Sequence, residues 1–460
     1  MILPKALALS LFSVLLPLSI LAQGIQPSAT FPRFWEYEGQ PLLLLGGSDE
    51  DNLFQYEPLV PHLDALQAAG GNYVRCTMSS RDEGNLWPFG QSEEGTYDLN
   101  IWNEAYWQRF ADFLQETSTR GIIVQVEVWA TFDFYRDNWA VNPFNPDNNI
   151  NYDPARSKLP TEVPTHPIYT ENNFFRSVPT QMSLFKVLEY QQKFVDKLLL
   201  YTLKYDHVLY CMDNETSVSA DWGRFWSNYI KKAAQETAEK TVYTTEMWDP
   251  WDLNHVAHRE TFDHPEVYDF VDISQNSHLQ GQAHWDGGYR QIQRIHQSDQ
   301  PRPVNSIKVY GTTGNKFGHT TQDGIERFVR NVLLGVAAVR FHRPDSGLGL
   351  GDTARAVIES MRMLTDAYPH FTGNPDLSTI KQRPANAAYG RKTDNMLVLY
   401  YPAGGGLEVD LSSLGGELTI RWLDVSNAQW SAPLSVQGGA LVQLESPEAG
   451  NWIALIQKTR

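Results

Sequence analysis

Cysteine is scarce in this chain: only Cys76 and Cys211 occur among 460 residues. Two thiols cannot form the framework of a small disulfide-stapled fold, and no Cys/His spacing suits zinc, so neither a metal site nor a cofactor is expected. The two fall in candidate strands that are not neighbours, which predicts two buried free thiols rather than a bridge. Positive charge is in deficit as well. Lys and Arg number 37 against 54 Asp and Glu, a formal net charge of −17. That argues against nucleic acid, which asks for a basic face, but not against an anionic sugar, because a cleft can be locally basic on an acidic protein. Long apolar runs are missing beyond the N-terminus, so no membrane span is expected. The one run there, Ala6 to Leu21, follows Met1-Ile-Leu-Pro-Lys5 and precedes Ala22-Gln23. A charged start, an apolar centre and a small residue at the end mark a signal peptide over 1–22, which places the mature protein in the periplasm or outside the cell.

What is present is the composition of a globular protein, 42% hydrophobic and 20% charged, in a length that fits a barrel plus one small domain. Short β-branched or aromatic runs alternate with stretches of helical period. Eight candidate strands follow: Leu42–Gly47, Asn72–Met78, Ile122–Trp129, His207–Asn214, Thr241–Met247, Phe270–Gln275, Pro303–Tyr310 and Ala337–His342. Amphipathic segments between them, such as Trp102–Thr119, Val187–Tyr205 and Asp221–Thr237, supply the helices of a (β/α)8 TIM barrel over 23–380. An aromatic-rich insertion, Phe132 to Met182, follows the third strand and is expected to wall the cleft. From 381 to 460 the chain alternates in strand fashion, with Met396–Tyr401, Leu407–Leu411, Leu418–Leu423, Gln429–Ser431, Ala440–Leu444 and Trp452–Ile456. This predicts a small antiparallel β-sandwich.

In such a barrel the reacting groups stand at the C-terminal ends of the strands. The fourth candidate ends in Met212-Asp-Asn214-Glu215. A carboxyl at the mouth of a partly apolar cavity has its charged form disfavoured, which raises it toward the range of a general acid. Glu215 is therefore expected to be a proton donor; a cap or an ion-pair partner is the plainer alternative. The seventh strand ends in Lys308-Val-Tyr310 and brings no carboxylate of its own. Acid–base work by a pair of carboxyls asks for a second one roughly 5–9.5 Å from the first. Glu246 on the fifth strand is the first candidate, followed by Glu127, Asp133 and Asp49. Cations gather at strand ends too, with Arg75, Arg81, Lys308, Arg340 and Arg343 and with His342 among them. They call for internal carboxylates or an anionic substrate. Trp129 and Trp248 are candidate stacking platforms for sugar rings, core packing being the other use of such side chains.

The strand ending in Asn-Glu resembles the acid/base signature of the clan A glycosidases. That likeness implies Glu215 as acid, Asn214 as ligand of the neighbouring sugar hydroxyl, Arg75 as support and His278 as a substrate contact. Tyr97-Asp-Leu-Asn-Ile-Trp-Asn-Glu-Ala-Tyr-Trp-Gln-Arg109 is similar to a segment of the apiosidase-like barrels, and Arg421-Trp-Leu-Asp through Gly450-Asn-Trp-Ile453 resembles the collagen-binding-type sandwich that accompanies them. The resemblance implies hydrolysis of a plant or algal polysaccharide or oligosaccharide. Lys308 also permits two other readings: a glycan-binding barrel that has lost its nucleophile, and a lyase using Lys308 or Tyr310 as base.

Overall fold

The structure is a computed structural model, and it describes residues 24–167 and 169–459; the signal-peptide reading of 1–22 lies outside them. Eight parallel strands form one sheet: β1 (Leu44–Gly47), β2 (Tyr73–Thr77), β3 (Ile123–Ala130), β4 (Val208–Asn214), β5 (Thr244–Thr245), β6 (Val271–Asp272), β7 (Val304–Val309) and β8 (Ala338–Phe341). Their order is β5-β4-β3-β2-β1-β8-β7-β6. The ends meet where Asp269 N donates to Thr244 O at 2.9 Å and Thr245 Oγ1 to Phe270 O at 2.8 Å, closing the barrel. The seam strands β5 and β6 are shorter than the sequence suggests. β6 stops because the Asp272 carboxylate accepts the amide of Ser274 at 2.8 Å and turns the chain into the 3-10 turn Ser274–His278.

Each strand is followed by a helix: α1 (Leu59–Ala68), α2 (Glu104–Thr119), α3 (Phe185–Thr202), α4 (Ala220–Ala238), α5 (Val256–Phe262), α6 (Gly281–His296), α7 (Thr321–Leu334) and α8 (Asp352–Ala367). Local chemistry fixes their ends. Thr320 and Asp323 make a reciprocal capping box at the start of α7, and Gly335 (φ +84°) supplies the left-handed residue that ends it. The lower lumen is apolar, filled by Leu44, Tyr73, Ile123, Leu209 and Ile307. Trp35, carried by a three-stranded N-terminal sheet, plugs it and donates its indole N–H to Asn305 Oδ1 at 3.1 Å. Cys76 and Cys211 are buried and free, as expected.

The C-terminal region is an antiparallel sheet whose centre runs Tyr389–Lys392, Met396–Tyr401, Trp452–Lys458, Glu417–Asp424, backed by the ribbon Gly406–Asp410 with Leu441–Glu445. Strand alternation divides its side chains cleanly. Leu397, Leu399 and Tyr401 enter the sandwich core, while Val398 and Tyr400 join the core of the barrel's helical layer. Ser360 of α8 donates to Val425 O at 3.0 Å and Arg391 to Leu333 O, tying the two parts together. Tyr389–Lys392 and Leu434–Gln437 were not anticipated as strands; each is four residues long and neither shows the apolar alternation that marks the others. Among the described residues, no helix is long and apolar enough to cross a membrane.

Candidate active site

Glu215 stands one residue beyond β4 with φ +62°, a left-handed backbone that non-glycine residues adopt rarely, at a cost of order 1–3 kcal/mol. Such strain persists only where surrounding structure enforces it. Its side chain remains 27% exposed at the C-terminal mouth of the barrel. Lys308, from β7 and almost fully buried, reaches across the lumen and donates to Glu215 Oε1 and, at 3.3 Å, to Asn214 Oδ1. The sequence-based expectation of a raised, protonated Glu215 is therefore wrong for this resting arrangement. Burial alone would raise the group, but the Lys308 ammonium, with Arg75 behind it, holds the carboxyl at about 2.

A second carboxylate shares this rim. Thr216 pairs with Trp248, extending the β4–β5 edge, and the amide of Asp249 donates to Thr216 O at 3.1 Å. Asp249 thus sits beside the Glu215–Ser217 turn, its side chain 19% exposed. Burial and the nearby negative charge of Glu215 raise it to about 6. The insertion after β3 contributes the facing wall: His166 Nε2 lies 3.9 Å from Asp249 Oδ2, and the Tyr135 ring packs edge-on against His166 at 5.1 Å. Most other aromatics of the insertion are core. Phe134 stacks on Phe174 at 4.1 Å, and Trp139 is fully buried.

Glu246, the first choice as second carboxylate, is not at the rim. It is completely buried, accepts hydrogen bonds from Thr216 Oγ1 and, at 3.4 Å, from the Tyr268 hydroxyl, and lies against Gly223 of α4. A Cβ at position 223 would meet Glu246 Oε2 at 1.8 Å, so glycine is what lets the carboxyl nest under the helix. Burial and the charge of Asp213 keep its pKa well above the ordinary range. Trp129 and Trp248 are likewise buried rather than offered to a ligand. Trp129 packs among Phe144, Phe174, Phe194, Trp222 and Trp226, and Trp248 donates to Thr261 Oγ1 at 2.8 Å. Asp133 accepts from Ser79 at 2.9 Å, and Asp49 accepts the amide of Leu350 at 2.8 Å.

Below the rim lies a network of buried charge. Asp51, just after β1, binds Arg75, Arg81 (3.1 Å), His342 (3.6 Å) and Arg343 (3.6 Å). Arg75 also faces Glu127 at 3.5 Å. Burial raises Glu127 to about 7 against the pull of Arg75 and Lys308, and it raises Asp272 to about 6. Arg340 bonds to Ser48 Oγ and to Ile307 O, each at 3.1 Å. Tyr310 stands between Lys308 and the imidazoles of His342 (5.1 Å) and His278 (4.9 Å). Among the described residues no three His, Cys, Asp or Glu side chains converge as metal ligands.

No family model and no curated protein matches this chain at the sequence level. Solved structures do match. A glycoside hydrolase family 5 protein from Bacteroides vulgatus superposes with a TM-score of 0.65 at 12% identity, over 95% of this chain and 94% of that one. What the two chains share is the fold, a (β/α)8 barrel followed by an antiparallel C-terminal region. A second glycoside hydrolase aligns with TM-score 0.66, 12% identity and coverage of 95% and 97%. An endo-1,4-beta-mannanase from Rhizomucor miehei aligns with TM-score 0.52 at 11% identity, over 75% of this chain and all of that one. The first two span both the barrel and the C-terminal region; the third matches a shorter part.

Sequence reading thus placed Glu215, Asn214, Lys308, Tyr310, Arg75, Arg340, His342 and His278 at one end of the barrel, where the structure brings them together. It missed Asp249, Asp51, Asp272 and Trp251. Asp249 was three residues past the chosen Glu246, in the loop that continues into Pro250. Chemically, the rim offers one carboxylate kept ionised down to about pH 2 and a neighbour that holds its proton up to about pH 6, a pairing suited to acid catalysis on the acid side of neutrality.

Proposed function

We propose that the protein is a secreted glycoside hydrolase acting on a plant or algal polysaccharide or oligosaccharide, with Glu215 and Asp249 as its catalytic pair. The observation that supports this most is the pairing itself: two carboxylates on adjacent strand ends at the open rim, set by their surroundings to opposite protonation states between about pH 2 and pH 6. In this reading Asp249 donates its proton to the leaving oxygen as the bond to the anomeric carbon breaks. Glu215, kept ionised by Lys308, faces the positive charge that develops on the sugar. Water then adds to the anomeric carbon and its proton restores the acid. Asn214, Tyr310 and His278 line the approach.

The guanidinium groups of Arg75, Arg81 and Arg343 are already held by Asp51 and its neighbours, which favours a neutral glycan over an anionic one. The finer likeness to apiosidase-like barrels, and to their accompanying sandwich, points the same way, to plant glycans. The test is a screen of neutral and anionic polysaccharides with product masses recorded. Wild type releases defined oligosaccharides or monosaccharides, and Glu215→Gln and Asp249→Asn do not.

One observation favours a second reading, a glycan-binding barrel without turnover: Lys308 occupies Glu215 directly. That reading requires wild type to retain polysaccharide while releasing nothing from any of them.

A further inference from the structure

Trp251, in the loop after β5, is 55% exposed although it is one of the largest apolar side chains in the protein. One face of its indole carries an imidazole. The ring lies on the His278 imidazole with centroids 3.8 Å apart and planes 12° from parallel, and Phe317, from the loop after β7, meets it edge-on at 6.1 Å. The rest of the ring is exposed. His278 in turn contacts Tyr310, which stands beside Lys308 and so beside Glu215. The aromatic stack therefore runs continuously from the catalytic rim outward along the β5–β7 side of the mouth.

We propose that the free face of Trp251, clamped by His278 and Phe317, is a subsite that stacks on a sugar ring of a neutral glycan one or more units from the bond that is cut. This rests on the glycosidase reading for its substrate class and adds where the chain lies. Three features carry it. The ring is held in one orientation before any ligand arrives, so little side-chain entropy is left to lose on binding. Its free face is apolar, matching the C–H face of a pyranose or furanose ring. The imidazole beneath is neutral, because burial and the charge of Lys308 depress it to about 3, so the platform itself presents no cation to attract a carboxylated sugar. Asp252 follows Trp251 directly in the chain and Lys316 lies 5.0 Å from the Phe317 ring, one charge of each sign, while Lys308 and Glu215 satisfy one another.

The test is affinity electrophoresis of the Glu215→Gln protein through gels containing galactomannan, xyloglucan, arabinoxylan or polygalacturonate, compared with Trp251→Ala and Trp251→Phe in the same background. The expected result is retardation in at least one neutral gel, weakened about tenfold by Trp251→Ala and largely kept by Trp251→Phe. Unaltered thermal melting of Trp251→Ala shows that the exposed ring is not needed for folding. Equal retardation of Trp251→Ala, retardation in polygalacturonate alone, or no retardation in any gel overturns the subsite. Turnover of the same polysaccharides by the protein with native Glu215 separates the two claims. Trp251-dependent retention without turnover removes the catalytic reading and leaves the subsite, while turnover with unchanged retention of Trp251→Ala does the reverse.

Discussion

The upper lumen of the barrel and the interior of the C-terminal sandwich are both buried, yet they are built in opposite ways. Between the sandwich sheets lie Leu397, Leu399, Leu407, Val409, Leu418, Ile420 and their neighbours, and the buried cation of this region, Arg391, turns away from them to bond Leu333 O and His370 O on the barrel side. Inside the barrel mouth, at the same level of burial, stand Asp51, Arg75, Glu127, Asp272, Lys308 and Arg340. Removing a charge from water is costly, and replacing a buried ion network with apolar side chains is often neutral or stabilising. Stability alone therefore accounts for the sandwich but not for the lumen. Titratable groups displaced from their ordinary range, gathered in a cavity, mark the place where chemistry is done.

The comparison can be broken in several ways. The largest effect is expected at the rim: Asp249→Asn or Glu215→Gln lowers turnover by about 10²–10⁴-fold with melting temperature little changed, measured by product release from the polysaccharide identified in the screen. Next comes Asp51→Ala, which strips the carboxylate from Arg75, Arg81 and Arg343 and costs about 3–5 kcal/mol of unfolding free energy in denaturant titration. In the sandwich, Leu399→Ala costs about 2–5 kcal/mol by cavity formation, and that loss is the same at every pH.

A smaller effect separates the two interiors by pH. Glu127 is raised to about 7 from an ordinary value near 4.5, so the folded protein keeps a proton that the unfolded chain has already released. Its contribution to stability is complete below pH 4.5 and is lost as pH rises through about 7. Glu127→Gln therefore flattens the fall of melting temperature between those values, and Leu399→Ala leaves that slope untouched.

How much of this was legible in the sequence follows from the same contrast. All eight barrel strands were readable because each is a short β-branched or aromatic run set between stretches of helical period, and the central strands matched within one or two residues. The seam strands were overextended, since side-chain turns such as Asp272 to Ser274 leave no apolar signature. Glu215 was legible because it ends a long strand. Its protonation state was not, since that depends on Lys308, 93 residues away, being aimed across the lumen. Glu246 was misassigned for a related reason. Which way a residue faces just past a two-residue strand depends on packing, and the space under α4 exists only because position 223 is glycine. Trp129 and Trp248 carry no mark in sequence that separates a platform from a core ring; the structure buries both.

The central claim is that between about pH 2 and pH 6 the rim holds an ionised Glu215 beside a protonated Asp249, and the pH dependence of kcat/KM tests it most directly. The account predicts full activity on the acid side, a falling limb at about 6 as Asp249 loses its proton, and an acid limb near 2 that moves up toward the ordinary carboxylate range in Lys308→Met. A profile that stays level through pH 6 and falls only well above it, or an acid limb indifferent to Lys308, would contradict it.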